Sequence, residues 1–170
     1  EIDPPVTDAD WKSAVRMRVL SARQALQRHP WARQAIESRV NKTPPVLDYM
    51  DSFIGMFLAG GFSVDLTHHV MHAIGGRMWG FTQELFDDST TTIVAPPGML
   101  RQLAERYPNI ATMAASVQHE EESVVGSGCD DQFEFEFALD LLLDGFDRLR
   151  ELDWTSRKAK QDAGLLAGGA

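Results

Sequence analysis

Three histidines, His68, His69 and His72, stand within five residues of one another. Of all the side chains in the sequence, these come nearest to a reactive or ligating set. His68 and His72 are four apart, which on a helix puts both imidazoles on one side, a spacing that metal sites use. There is no HExxH, and nothing nearby supplies third and fourth ligands. No metal and no other cofactor is therefore assigned. Partly buried imidazoles would instead bond a ligand, and would make its binding sensitive to pH near neutrality. Arg18 is the second candidate, because an arginine beside an apolar stripe calls for an anionic or carbonyl partner. Catalytic signatures are missing. No serine occupies a G-x-S-x-G turn and no glycine-rich phosphate loop occurs. The grouped carboxylates belong to a strip of the last long helix. No catalytic residue is assigned, and the chain is not expected to be an enzyme.

These side chains need helices to hold them. The sequence reads as nearly all helix, with one weak β-branched cluster at 90–94. A first long helix is expected over residues 8–29, capped by Thr7 or Asp8, with Arg28 and His29 in its last turn. Its stripe is Trp11, Val15, Val19, Ala22 and Leu26, and Arg18 flanks it. Pro30 stops it, and a short helix follows over 31–40. A third helix runs to residue 59 after a proline-bearing break, and Gly60-Gly61 ends it. Ser63 caps a fourth, expected over 63–86. Two short pieces at 99–106 and 109–118 are split by Tyr107-Pro108. The last long helix covers 130–152.

The inward faces of the first four helices form a cage of the kind that small-molecule sites need. Arg18, Val19 and Ala22 come from the first, and Ile36 and Arg39 from the second. Met50, Phe53, Ile54 and Phe57 come from the third. His68, Met71, His72, Gly75 and Trp79 come from the fourth. Taken singly, each apolar member also reads as plain core. Methionine and phenylalanine make adaptable walls, so such a cage would take several compounds.

The last helix has more apolar surface than one face can hold. Phe135, Leu139, Leu142, Phe146 and Leu149 form one stripe at helical spacing, and Phe137, Ala138, Leu141 and Leu143 widen it. A helix apolar over so wide an arc is covered from two sides. The second cover is a second copy of the chain or, as the alternative, the rest of a monomeric bundle. The fourth helix carries a ridge of small or polar residues, His69, Ala73, Gly76, Gly80 and Gln83, spaced four, three, four and three. Interior glycine costs roughly 1 kcal/mol against alanine, so the ridge implies either close approach of another helix or a kink. These two faces predict an intermolecular four-helix bundle about a two-fold axis.

Bulk properties limit the partners. The chain has 170 residues, enough for one domain with its own core. A net charge of −9, from 16 basic and 25 acidic residues, gives no electrostatic basis for holding nucleic acid. No apolar run is long enough to span a membrane, and no signal peptide is present. With Cys129 as the single cysteine, a cytoplasmic location is expected.

Several short motifs occur together: Asp10-Trp11, the RHP of Arg28 to Pro30, the GGFS of Gly60 to Ser63, Gly80-Phe81, Tyr107-Pro108, and the run from Phe133 to Leu149. In this order, over nearly all of residues 8–150, the chain resembles the C-terminal regulatory domain of the tetracycline-repressor (TetR) family. The resemblance implies an all-α orthogonal bundle whose two long C-terminal helices form the dimer's four-helix bundle. It also implies a small apolar or amphipathic effector whose binding weakens operator affinity, and a DNA-reading helix-turn-helix before this region. Residues 1–7 then read as the lead-in from that missing domain, 8–153 as the effector-binding and dimerisation domain, and 154–170 as a disordered tail. The expected partners are a second copy, a small-molecule effector, and DNA only through the missing N-terminal domain. A dimeric helical interaction module without a ligand is the other function that the sequence allows, and a small metal-dependent helical enzyme is a third.

Overall fold

The structure, a computed structural model, describes residues 10–38, 43–80, 97–116 and 131–164. Their regular elements are α1 (Trp11–Arg28), α2 (Trp31–Glu37), α3 (Pro44–Ala59), α4 (Val64–Gly80), α5 (Pro97–Arg106), α6 (Pro108–Ser116), α7 (Asp131–Glu151) and α8 (Ser156–Asp162). No strand occurs among the described residues, and the fold is all-α, as expected. The chain divides into two units, residues 1–80 with 137–170, and residues 81–136. In the second, α5 and α6 lie against each other. The lead-in at 1–7 and the weak cluster at 90–94 lie outside the described residues.

Local chemistry explains most of the helix ends in the first unit. Asp10, rather than Thr7 or Asp8, caps α1: its carboxylate accepts from the N–H of Lys12 at 3.0 Å and of Ser13 at 3.1 Å. Prolines occupy the first turn of α3, where an absent N–H costs nothing. α3 closes on two glycines with different tasks. Gly61 has φ +85°, a left-handed conformation that suits glycine. The Phe62 N–H then reaches back to the Phe57 carbonyl at 3.1 Å. At Gly60, a Cβ would stand 2.7 Å from Cβ of Trp11, so only glycine lets that indole pack here. Ser63 Oγ then accepts from the Leu66 N–H at 3.1 Å and caps α4.

The core gathers one face from each of α1, α3, α4 and α7. α1 gives Val15, Val19 and Ala22, α3 gives Phe53 and Phe57, α4 gives Leu66, Val70 and Ile74, and α7 gives Leu139, Leu143 and Phe146. Each large side chain so buried contributes about 1.5–3 kcal/mol. The Trp11 ring meets Phe62 edge-on at 4.7 Å, Phe62 meets Phe57 at 5.3 Å, and Phe57 meets Phe53 at 5.4 Å. This chain of rings ties the start of α1 to the α3–α4 corner.

The C-terminal segment differs from the expected disordered tail at 154–170. Residues 156–162 form α8, which starts where Thr155 Oγ1 accepts from the Lys158 N–H at 3.3 Å. Asp65 of α4 accepts from both the backbone N–H and the hydroxyl of Ser156, at 2.6 and 2.8 Å. Trp154 meets the His69 ring edge-on at 5.3 Å. A few polar bonds and one indole hold this helix, which is why the apolar pattern gave no hint of it.

Candidate effector cage and association face

The buried side of α1 carries Arg18, at 9% exposure, between Val15 and Val19. Its guanidinium lies 4.8 Å from the centre of the Tyr49 ring of α3, a cation–π contact. Burial raises the Tyr49 phenol above its ordinary value, and the neighbouring Arg18 charge partly offsets that. Tyr49 in turn stacks on Phe53 at 5.9 Å. Arg18, Val19, Ala22, Phe53 and Phe57 are thus all buried, while Met50 and Ile54 are half-buried. Arg18 combines a stacked face with N–H edges that can hydrogen-bond an acceptor in the ring plane.

Other expected cage residues stand elsewhere. Ile36 is exposed. Arg39 and the side chain of Trp79 lie outside the described residues. His68 and His72 are exposed, while Met71 and Gly75 are half-buried. The inward arc of α4 is Leu66, Thr67, Val70, Ile74 and Arg77, and the expected cage residues His68 and His72 lie off it. Arg77, which a hydropathy pattern assigns to solvent, is only 8% exposed. Thr67 and Arg77 are buried polar residues of this arc that the sequence pattern did not single out. Their spacing from Val70 and Ile74, three, four and three, is the helical signal that could have found them. The Thr67 hydroxyl is buried without a hydrogen-bond partner among the described residues. That state costs about 1–3 kcal/mol.

The outward side of α4 presents His68, His69, His72, Ala73 and Gly76, all exposed. The small ridge therefore faces away from the chain's own core. A Cβ on Gly75 or Gly76 would meet no atom within 4 Å, so packing inside the chain does not require glycine at either position. Gly80 ends the helix and Gln83 lies outside the described residues.

α7 has three strips rather than two. Phe135, Leu139, Leu143 and Phe146 are buried. Phe135, Leu139 and Phe146, expected at a dimer interface, are therefore already covered, while Leu142 and Leu149 are half-buried. Beside the core strip runs the acidic one. Asp140 takes the Arg16 Nε at 2.7 Å and its Nη2 at 3.3 Å. Asp144 pairs with Lys12, and Asp147 with Arg150 at 2.7 Å. Asp140 and Asp144 thus tie α7 to α1, while the Asp147–Arg150 pair lies within α7. The third strip is apolar and bare: Phe137 and Leu141 are 53% and 58% exposed, and Leu152, just past the end of α7, is 64% exposed. The excess apolar surface expected from the sequence is thus carried by Phe137 and Leu141, which widen the stripe, rather than by the stripe itself. No described helix is long and apolar enough to cross a membrane.

Residues 4–150 match the family described as Tetracyclin repressor-like, C-terminal domain. The chain is similar to the crystal structure of a possible TetR family transcriptional regulator from Streptomyces coelicolor A3(2). The TM-score is 0.61 and the identity 23%, covering 85% of this chain and 68% of that one. At this identity the likeness speaks for the fold alone. No curated protein matches the sequence. The matched span takes in α1 to α7 and leaves α8 outside it; with that span, the chain belongs to the tetracycline-repressor-like family as its C-terminal domain.

Proposed function

We propose that this domain senses a small apolar or amphipathic effector and pairs with a second copy of itself in a TetR-family transcriptional repressor. In this proposal residues 8–153 carry both tasks, and DNA is read by a helix-turn-helix outside this chain. The observation that carries the proposal is the bare apolar surface of Phe137 and Leu141 on α7 and of Leu152 just past its end. The outward glycine face of α4 supports it further. Together these supply the two surfaces that a four-helix bundle across a two-fold axis needs.

The effector would enter the interior lined by Arg18, Tyr49, Phe53 and Phe57, and Arg18 would receive its anionic or carbonyl end. Bound effector would favour one arrangement of α1 and its neighbours. Only a difference in affinity between two arrangements can move the equilibrium. DNA half-sites lie about one helical turn apart, so a small change in the spacing of two reading heads weakens the match.

Two measurements test this. Phe137→Ser with Leu141→Ser should turn the chain monomeric by light scattering at micromolar concentration. A dimeric double variant, or a monomeric parent chain, would refute the association. A thermal-shift screen of apolar and amphipathic compounds should find one that stabilises the chain, by about 2.7 kcal/mol at a hundredfold excess over its Kd. A flat response across a broad library would favour a dimeric interaction module without a ligand.

A further inference from the structure

We propose that His68 and His72 form a two-nitrogen site for a borderline divalent cation such as zinc, completed by the same pair from a second copy of the chain. The two imidazoles occupy successive turns of α4, are both exposed, and have ring centres 4.7 Å apart at an interplanar angle of 75°. Two imidazoles sharing a tetrahedral zinc with Zn–N of about 2.0–2.1 Å have ring centres about 5 Å apart. The His68–His72 ring spacing is close to that figure, and the four-residue interval puts both imidazoles on one side of α4.

His69 is not part of the pair. Its ring packs against Trp154 at 5.3 Å, and its Nε2 lies 3.8 Å from Asp65. One chain offers no cluster of three or more potential ligands among the described residues. Two nitrogens fill only half of a tetrahedral shell, so a second copy is the natural source of the rest.

The position of the pair suits that source. His72 is the middle residue of α4, Val64–Gly80. A two-fold axis crossing α4 at its midpoint sets the helix against its own copy there, with His68 one turn away. Ala73 and Gly76 share this exposed face, and Gly76 has no atom within 4 Å of an added Cβ. The face can therefore accept a close helix. The completed site rests on the association proposed above, whereas the His68–His72 pair is a feature of the single chain.

The test uses the full chain without a histidine tag, titrated with zinc chloride by calorimetry, with mass followed by light scattering in parallel. One zinc per two chains is expected. Affinity should fall roughly tenfold or more in His68→Ala and in His72→Ala, and stay unchanged in His69→Ala. Absence of binding, retention of binding by the double variant, or one zinc per monomeric chain would each overturn the site as proposed. A metal-free dimer that ignores zinc sinks the site and leaves the association standing. A chain that stays monomeric with or without zinc sinks both.

Discussion

Gly76 offers the sharpest test, because its two environments predict opposite results. Inside the single chain, a Cβ at this position meets nothing within 4 Å. Alanine is the better helix former by about 0.8–1.0 kcal/mol. For a domain of this size, about 1 kcal/mol moves Tm by about 2–4 °C. If the outward face of α4 is bare, Gly76→Ala is a plain stabilisation, seen equally at every protein concentration. If a second helix lies on that face, the added methyl meets it. Overpacking of this kind costs about 1–3 kcal/mol, or roughly five- to 150-fold in dissociation constant. The variant then associates more weakly although each separate chain is more stable. Gly76→Leu, with more bulk, should leave no dimer at micromolar concentration. Thermal melts at two concentrations, combined with sedimentation over a dilution series, separate the cases. A uniform rise of about 3 °C in Gly76→Ala, with Gly76→Leu still dimeric, would refute the assignment of this face.

Two further predictions concern the frame. Gly60→Ala places a Cβ 2.7 Å from Cβ of Trp11, so it should lower stability by about 1–3 kcal/mol in denaturant titration. An unchanged midpoint would mean that the indole packs elsewhere. Ser156 donates two hydrogen bonds to Asp65, which hold its carboxyl below the ordinary 3.8. A lowered carboxyl supports the fold while it is ionised, and that support fades as pH falls from 3.8 through the lowered value. The anchoring of α8 should thus be complete at neutral pH and lost in that acid range, and Asp65→Ala should release the helix at neutral pH. Amide exchange over 156–162 reports both, and exchange unchanged in Asp65→Ala would show that α8 is held by other contacts.

The parts of this fold that were legible in the sequence share a physical cause. Asp10-Trp11 and Gly60 to Ser63 lie far apart in the chain but form one joint: a cap, an indole, the glycine that admits it, a left-handed turn and a second cap. The glycine pair and Ser63 could be placed from residue types, whereas the cap of α1 falls on Asp10, two residues beyond the expected Asp8. Faces were harder to place. On α7 both the inward and the outward strips are apolar, and nothing in their composition says which one the chain covers itself. The acidic strip decides it, because Asp140 and Asp144 reach Arg16 and Lys12 on α1. That pairing between distant segments is invisible to periodicity. On α4, Arg77 is buried where hydropathy assigns solvent, and His68 and His72, expected in the cage, are exposed. Arg18 kept its inward place because two small β-branched neighbours, Val15 and Val19, fix its side of the helix.

The triple fastening of α1 has a mechanical consequence. Trp11, Lys12 and Arg16 are all held within the first two turns, by the α3–α4 corner and by α7. From Arg16 to Arg28 the helix extends for about 18 Å. A push near Tyr49 would therefore rotate α1 about its secured root, and a tilt of about 10° would carry Arg28 through about 3 Å. Such a lever delivers its displacement to α2 while Trp11 stays seated. Spin-label distances from Asp65 to Arg28 and to Ser13, with and without a stabilising compound, would show whether only the far tip travels.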